Sequence, residues 1–225
     1  MNFGIVVAAG KSERMGPDVD KAFLSLGTKP VAIYSLLAFE KCPDVDGVIL
    51  VVRKDRLEPA RAMVQLFGCA KVKKVVAGGA KRQISVSNGL AHVGRDAKII
   101  VIHDGARPCV TPDLISEAVK SAKRNGSGVA AVKITDTIKE VDAGVTVSRT
   151  VDRSKLWAVQ TPQAFRYELL VKALEHVKRK NLTVTDDAAA LELIGQEVHL
   201  VAAPWSNIKI TTAGDLVTAA TLLKL

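Results

Sequence analysis

The sequence contains few aromatic residues and few cysteines. Aromatics make up 4% of the 225 residues, too few to form a stacking platform for single-stranded nucleic acid. Cys42, Cys69 and Cys109 are odd in number and far apart, which excludes a Cys-x-x-Cys zinc site and a disulfide framework and indicates reduced thiols. We also expect no leader segment, since the N-terminus runs directly into a predicted strand, and no apolar run is long enough to span a membrane. We therefore expect a cytoplasmic protein without membrane contact.

A long basic tract is also missing, although the chain is basic overall. Its 32 Lys and Arg against 23 Asp and Glu give a net charge of +9. These charges are scattered along the chain, with short doublets such as Lys73-Lys74, and such scatter is typical of a solvated surface. We predict that nucleic acid is not a partner.

Both familiar nucleotide-binding fingerprints are absent near the N-terminus. Gly10-Lys11-Ser12 resembles the end of a P-loop, but the required glycine five positions earlier is Ile5. The spacing of Gly10 and Gly16 does not complete the dinucleotide fingerprint either. Small residues at the end of a strand nevertheless let backbone N–H groups approach an anion closely. The stretch remains a candidate for binding phosphate.

Short apolar runs alternate with stretches of helical spacing. This order predicts an α/β fold with a mostly parallel sheet covered by helices on both faces, in one domain spanning residues 1–225. The predicted strands are Phe3–Ala8, Gly47–Val52, Val72–Ala77, Lys98–His103, Gly128–Ile134, Glu197–Ala202 and Asn207–Ile210. The predicted helices are Pro30–Lys41, Asp55–Phe67, Arg82–Val93, Pro112–Lys123, Tyr167–Val177, Asp187–Ile194 and Thr212–Leu223.

The alternation of strands and helices breaks at Thr135. Polar and apolar residues then alternate around Asp142-Ala143-Gly144, a pattern that predicts a β-hairpin arm over about residues 137–159. A lone two-stranded hairpin is marginal in water. We therefore expect this arm to pack against the same arm of a second chain, giving a homodimer.

Small or polar residues end or follow four of the predicted strands. Ala8-Ala9-Gly10, Gly78-Gly79, His103-Asp104 and Asp136-Thr137 stand at or just beyond their carboxyl ends, where open parallel sheets bind ligands. Glycines, cations and one carboxylate at one edge indicate a phosphorylated ligand with a metal ion.

These motifs together resemble the 2-C-methyl-D-erythritol 4-phosphate cytidylyltransferase family over essentially the whole chain. The matching residues are Ala8-Ala9-Gly10, Arg14-Met15-Gly16, Lys21, Gly78-Gly79, Arg82, Ser85-Val86, His103-Asp104, Ala106-Arg107-Pro108, Asp136-Thr137, Val151-Asp152-Arg153, Thr161-Pro162-Gln163, Thr185-Asp186-Asp187 and Asn207-Ile208-Lys209. No single motif is strong, but their order and spacing together are specific. The resemblance implies a nucleotidyltransferase-like (Rossmann-like) fold, a homodimer with interlocking arms, and Mg²⁺.

The resemblance also implies a reaction: CMP passes from CTP to a sugar-alcohol phosphate, and pyrophosphate is released. It assigns Arg14 and Lys21 to transition-state stabilisation. It assigns Arg153, reaching a neighbouring subunit, and Lys209 to holding the sugar phosphate. The further residues expected to bind substrate are Ala8, Ala9, Gly10, Gly79, Ser85, Asp104, Arg107, Thr137 and Thr161. The metal ligands stay unknown, because Asp104 could bind Mg²⁺ or a sugar hydroxyl.

Three further features near these motifs are not assigned to catalysis or substrate binding. For Lys11, a phosphate contact and a solvated side chain are equally favoured. His103 is expected to be a satisfied, half-buried imidazole and not a catalyst. Thr185-Asp186-Asp187 is expected to cap a helix.

Two departures from the family pattern and three alternatives remain. Ala80 stands where an acidic residue is expected, and Ser206 where relatives often have Asp. A ribitol 5-phosphate cytidylyltransferase would share most of these motifs. A non-catalytic nucleic-acid-binding protein would use the +9 charge instead. A fused enzyme of the next pathway step is not expected, since the chain ends at Leu225 after its last predicted helix.

Overall fold

A seven-stranded sheet forms the centre of the protein in a computed structural model, which describes residues 1–10, 20–94 and 96–225. The predicted residues Lys11, Arg14 and Gly16 lie outside the described residues. The strands are β1 (Asn2–Ala8), β2 (Ser25–Leu26), β3 (Lys29–Pro30), β4 (Gly47–Val52), β5 (Val72–Ala77), β6 (Ile99–Asp104), β7 (Ser127–Lys133), β8 (Ile138–Val141), β9 (Val147–Val151), β10 (Trp157–Arg166) and β11 (Leu200–Ala202).

The order across the sheet is β11-β7-β10-β6-β1-β4-β5. Strand β10 runs antiparallel to both of its neighbours, and the other pairings in this sheet are parallel. The predicted mostly parallel sheet is therefore confirmed. The carboxyl ends of β1, β4, β5 and β6 meet at one edge.

Helices cover both faces of the sheet, as predicted. They are α1 (Val31–Lys41), α2 (Leu57–Leu66), α3 (Arg82–Leu90), α4 (Pro112–Asn125), α5 (Tyr167–Arg179), α6 (Asp187–Glu192) and α7 (Ala213–Leu222). Helices α1, α2 and α4 share one buried apolar cluster with the sheet, whereas α3, α5 and α6 share a second on its opposite face. This division follows from the strands, whose successive side chains point to opposite faces: Val6 belongs to the first cluster and Ile5 to the second.

The sequence sets both ends of α4. Thr111 accepts a hydrogen bond from the Leu114 N–H at 3.2 Å, and Pro112 occupies the first turn, where its missing N–H costs nothing. Gly126 ends the helix with φ 90°, a conformation that other residues rarely adopt. The chain then enters β7 directly.

The predicted hairpin is present. Strands β8 and β9 pair antiparallel in a sheet of their own, and most of their residues are exposed. At the base of this hairpin, β7 and β10 are ladder neighbours, with Lys133 opposite Trp157. Residues 134–156 therefore form an excursion between two adjacent strands of the central sheet.

Two strand predictions differ from the structure. The sequence does not predict β10, because Pro162 interrupts its pattern; the structure accommodates the proline where the register shifts between Val159 and Gln163. The predicted strand Asn207–Ile210 is wrong. That segment is irregular. It contacts the chain just after β6 through single hydrogen bonds, such as the one of 2.8 Å from the Ile210 N–H to the Ala106 carbonyl.

In the part of the chain that the structure describes, no helix combines the length and apolar character needed to cross a membrane.

Candidate active site

A cleft of about 1000 Å³ opens at the carboxyl edge of the sheet. It is bounded by the ends of β1, β4, β5 and β6, together with Lys21 and Lys209. The residues that line it are Val7, Ala8, Ala9, Gly10, Lys21, Ala22, Arg53, Lys54, Asp55, Gly78, Gly79, Ala80, Lys81, Arg82, Ser85, Asp104, Ala106 and Lys209. Cationic side chains outnumber carboxylates in this lining, so the cleft suits an anionic ligand.

Asp104 is the carboxylate at the centre of this edge. It ends β6, is 8% exposed, and receives a cation on each oxygen. Arg82 Nε lies 3.1 Å from Oδ1, and Lys209 Nζ lies 2.6 Å from Oδ2. Burial would raise the pKa of Asp104, but the positive charges of Arg82 and Lys209 outweigh it and hold the pKa well below its usual range. Asp104 is therefore ionised at neutral pH.

Arg82 joins Asp104 to a second buried carboxylate. Its Nη1 donates to Asp187 Oδ2 at 2.6 Å, and Asp187 is fully buried at the start of α6. Burial would lower the pKa of Arg82, but the two carboxylates raise it overall. The result is a row of side chains with alternating charge: Asp187, Arg82, Asp104 and Lys209.

Glycine and small side chains form the opposite wall of the cleft. A Cβ added to Gly78 would lie 2.4 Å from the Ala9 Cβ, so β1 and the loop after β5 approach more closely than larger residues would permit. The Ser85 hydroxyl fixes the loop by accepting from the Gly79 N–H at 3.1 Å and donating to the Lys81 carbonyl at 3.3 Å. Because its residues are small, the backbone N–H and C=O groups of this wall can approach a flat ligand closely.

His103 lies behind the cleft in a closed hydrogen-bond network. Thr161 Oγ1 accepts from the Asp104 N–H at 3.0 Å and lies 3.1 Å from His103 Nδ1, so the hydroxyl donates to that nitrogen. His103 Nε2 then donates to the Arg107 carbonyl at 3.3 Å. Burial is the main cause that lowers the pKa of His103 to about 3. The imidazole is neutral and satisfied as expected, but it is fully buried, not half-buried.

Arg107 and Asn207 complete this network. Arg107 Nη1 donates to the Asn207 carbonyl at 2.8 Å, and the Asn207 amide donates to the Thr161 carbonyl at 2.9 Å. The network connects the end of β6, the irregular part of β10 and the segment that carries Lys209. It therefore fixes the backbone near Lys209.

The structure brings many of the sequence-predicted residues together around the cleft: Ala8, Ala9, Gly10, Lys21, Gly79, Ser85, Asp104 and Lys209. Arg107 and Thr161 lie behind its lining, in the network just described. Arg153 and Thr137 are exposed near the hairpin and do not line the cleft of their own chain. Arg153 donates to the Thr135 carbonyl. Arg14 lies outside the described residues.

Sequence reasoning missed the residues after β4. Arg53, Lys54 and Asp55 line the cleft, and Arg53 donates to Asp55 at 2.8 Å. Their signal is the same as for the other loops, polar residues directly after a buried strand. The carboxyl end of β7 lies at the same edge, but the residues that follow it lead into the hairpin and do not line the cleft.

The helix-cap prediction for Thr185-Asp186-Asp187 is partly confirmed. Asp186 is the N-cap of α6, accepting from the Ala189 N–H at 2.9 Å. The expected cap, Thr185, does not hold this position. Asp187 instead reaches Arg82, a role that the sequence does not indicate.

The described residues contain no group of three or more His, Cys, Asp or Glu side chains that could hold a metal ion. Asp104 is one carboxylate among several cations at this edge. Mg²⁺ commonly binds through one or two carboxylates together with substrate phosphates. The donor set therefore fits a metal held chiefly by phosphate oxygens.

The sheet, its glycine-lined wall and its cationic edge fit a nucleotidyltransferase, and the comparisons with known proteins show that class. Two solved structures have the same fold. The 4-diphosphocytidyl-2C-methyl-D-erythritol synthase of Anaerococcus prevotii matches with a TM-score of 0.87, 28% identity, and coverage of 100% of this chain and 96% of that one. The 2-C-methyl-D-erythritol 4-phosphate cytidylyltransferase of Thermus thermophilus matches with a TM-score of 0.82, 31% identity and full coverage of both chains.

Sequence comparison identifies the family. The chain is 42% identical to the 2-C-methyl-D-erythritol 4-phosphate cytidylyltransferase of Alkaliphilus oremlandii, over 98% of this chain and 94% of that protein. The relative of the same name from Clostridium tetani is 40% identical over 99% and 90%. Residues 3–225 match the family model for 2-C-methyl-D-erythritol 4-phosphate cytidylyltransferase. The chain belongs to this family and is a CTP-dependent cytidylyltransferase.

Proposed function

We propose that the cleft binds CTP and transfers CMP to 2-C-methyl-D-erythritol 4-phosphate, giving 4-diphosphocytidyl-2-C-methyl-D-erythritol and pyrophosphate. Membership of the family supports this reaction. The observation that supports it in the structure is the contact of Arg82 and Lys209 with Asp104, in the same cleft as Lys21 and the glycine-lined wall.

The reaction is a direct in-line displacement. An oxygen of the sugar phosphate forms a bond to the α-phosphorus of CTP, and the bond from that phosphorus to the bridging oxygen of pyrophosphate breaks. The second pKa of a phosphate monoester is about 6, so the nucleophile is already largely anionic at neutral pH. It needs no general base, and the neutral His103 therefore needs no part in proton transfer.

The barrier arises from bringing anions together, so the protein acts through position and charge. Lys21 and Arg14 stabilise the charge that builds up on the α-phosphate and the departing pyrophosphate. Lys209 holds the sugar phosphate, and Asp104 fixes the Lys209 ammonium group at the edge of the cleft.

Cytosine is selected by the wall formed by Ala8, Ala9, Gly79 and Ser85, whereas Gly10 begins the loop that would bind the triphosphate through its N–H groups. A backbone carbonyl there accepts a hydrogen bond from the exocyclic amine of cytosine. Uracil presents a carbonyl oxygen at that position and would leave two acceptors facing each other. Ala80 lines the same cleft but supplies no polar side chain, so ribose recognition relies on neighbouring groups.

Mg²⁺ is the proposed cofactor. Triphosphate oxygens would supply most of its ligands at this edge, because both oxygens of Asp104 already accept from Arg82 and Lys209. Bound there, Mg²⁺ would neutralise charge on the triphosphate and on the pyrophosphate that leaves.

A homodimer is the proposed assembly, formed through the hairpin of residues 137–159. The support is that β8 and β9 pair only with each other among the described strands, and that the hairpin exposes Val145 in its turn and Val147 in β9. Arg153 and Thr137 then serve the cleft of the partner chain, while Arg107 and Thr161 support the sugar-phosphate side from within. The reduced thiols predicted from the sequence favour a cytoplasmic enzyme.

Pyrophosphate release with CTP and a panel of sugar phosphates tests the proposed reaction. We expect release with 2-C-methyl-D-erythritol 4-phosphate at a kcat/KM far above that with D-ribitol 5-phosphate, and none with CTP alone. A preference for ribitol phosphate would contradict the substrate. Salt-sensitive DNA or RNA affinity without pyrophosphate release would indicate a nucleic-acid-binding protein instead.

A further inference from the structure

Asp187 is a fully buried carboxylate that the proposed reaction does not use. It is the first residue of α6, and its Oδ2 receives Arg82 Nη1 at 2.6 Å. Within the described residues, its Oδ1 has no hydrogen-bond partner. The cap of α6 is provided by Asp186, so helix capping does not account for Asp187.

Burying a carboxylate is costly unless it is paired. The pairing of Asp187 with Arg82 is a charge-assisted hydrogen bond, about twice as strong as a neutral one. This contact also determines how Arg82 meets Asp104. Asp187 fixes the plane of the guanidinium through Nη1, and in this orientation Nε alone reaches Asp104 Oδ1, while the buried Nη2 has no hydrogen-bond partner among the described residues. Oδ2 of Asp104 remains available to Lys209.

We propose that Asp187 is a positioning residue, which holds Arg82 so that Asp104 keeps one oxygen for Lys209. The proposal rests on the role given above to Lys209 in holding the sugar phosphate. Without Asp187, the guanidinium can turn and bind both oxygens of Asp104, the bidentate geometry that arginine and carboxylate favour. Lys209 then loses its partner, and the sugar phosphate loses its fixed position.

The kinetic test compares Asp187→Ala, Asp187→Asn and the matched control Asp186→Ala. We expect Asp187→Ala to lower kcat/KM for the sugar phosphate by about 100-fold, as small misplacements of reacting groups can. The KM for CTP should change by less than about twofold, since the cytosine wall is untouched. Asp187→Asn keeps an oxygen for Arg82 and should fall between Asp187→Ala and wild type.

The control separates positioning from folding. Asp186→Ala removes the cap of α6 and should lower thermal stability while leaving both kinetic constants near wild type. If Asp187→Ala behaves in the same way, Asp187 has only a structural role and the proposal is wrong. A rise in its KM for CTP as large as that for the sugar phosphate would also contradict the proposal.

A double-mutant cycle tests whether Asp187 acts through Arg82. In an Arg82→Gln background, Asp187→Asn should change kcat/KM by less than about twofold, because the group it positions is already gone. Effects that multiply would show that the two residues act independently, against the proposal.

A crystal structure of Asp187→Ala gives a result that does not depend on activity. We expect Arg82 to be bidentate on Asp104, with Lys209 Nζ beyond the hydrogen-bond limit of about 3.5 Å from Oδ2. Unchanged contacts would overturn the proposal. If wild-type enzyme transferred no CMP, the proposed function would fail, and this structure would still decide whether Asp187 positions Lys209.

Discussion

Lys209 Nζ lies 2.6 Å from Asp104 Oδ2, although 105 positions separate the two residues in the chain. Asp104 ends a buried strand at the centre of the sheet, whereas Lys209 belongs to an irregular segment. The ion pair therefore fixes a long, flexible side chain against a rigid element. It places one cation at the edge of the cleft even though Ser206 replaces the expected acidic neighbour.

We expect Lys209→Ala to raise the KM for the sugar phosphate and lower kcat/KM by about 100-fold to 1000-fold, the usual loss when a donor to a reacting oxyanion is removed. Steady-state kinetics with each substrate varied in turn measures both values. Lys172→Ala, which removes an exposed lysine on α5, is the matched control and should match wild type. Equal losses in the two variants would show that only net charge matters.

Lys21→Ala and Arg14→Ala should lower turnover much more than they weaken CTP binding. Their proposed targets are the α-phosphate and the leaving pyrophosphate, where negative charge increases in the transition state. The expected loss is about 3–4 kcal/mol of barrier for each. Turnover and CTP affinity, the latter by calorimetry, are compared. Lost CTP affinity with unchanged turnover would show that these cations stabilise bound CTP and not the transition state.

Removing Mg²⁺ should abolish turnover. The described residues provide few carboxylates and several cations at the cleft, so the metal would be bound mainly by the triphosphate. Pyrophosphate release is measured in excess chelator and again after Mg²⁺ is added back, which should restore it. Full activity in the chelator would reject the metal requirement.

The shared-site proposal is tested by mixing two inactive chains. Arg153→Ala and Lys209→Ala should each be nearly inactive alone. If Arg153 serves the partner's cleft, a hybrid dimer has one site with both defects and one with neither, so activity should partly return on subunit exchange. A stable hybrid dimer as inactive as its parents would show that Arg153 serves its own chain.

The buried His103 should make the protein sensitive to acid. Its pKa is lowered to about 3, so between that value and the unfolded value of about 6.5 only the unfolded chain binds the proton. Stability should be retained above a pH of about 6.5 and fall by about 1.4 kcal/mol per pH unit below it. Denaturant unfolding of wild type and His103→Gln at pH values of about 7, 6 and 5 measures this slope.

The His103→Gln variant should be less stable at neutral pH but should lack this part of the slope. His92→Gln, at an exposed histidine, is the control and should keep the wild-type slope. If His103→Gln also keeps the wild-type slope of stability against pH, protonation of His103 is not the cause of that slope.

Most of the sheet could be predicted from the sequence because its parallel strands are rich in apolar residues, and β1, β4, β6 and β7 are also largely buried. Strands β4 and β5 have the predicted bounds. Strand β10 could not be predicted in this way, since Pro162 and Thr161 interrupt its apolar pattern and its place depends on pairing with β6 and β7. Such pairing is set by tertiary structure and leaves little local signal.

The site was predictable where residues end a strand or follow it within two positions, as Asp104, Gly10 and Gly79 do. The partnership of Asp187 with Arg82 was not, because the two residues are 105 positions apart and Asp187 stands beside a genuine cap. The residues around Asp187 have the pattern of a helix N-terminus, so its long-range ion pair with Arg82 could not be predicted.

Because Lys133 pairs with Trp157 at the base of the hairpin, the hairpin is structurally separable from the central sheet. A short turn joining these two positions would replace residues 134–156 and leave all seven strands of the central sheet in their order. The hairpin can therefore lengthen, shorten or change its contact residues without disturbing the hydrophobic core. Folding of the core is therefore encoded apart from the hairpin, whereas the proposed role of Arg153 keeps the hairpin tied to the reaction.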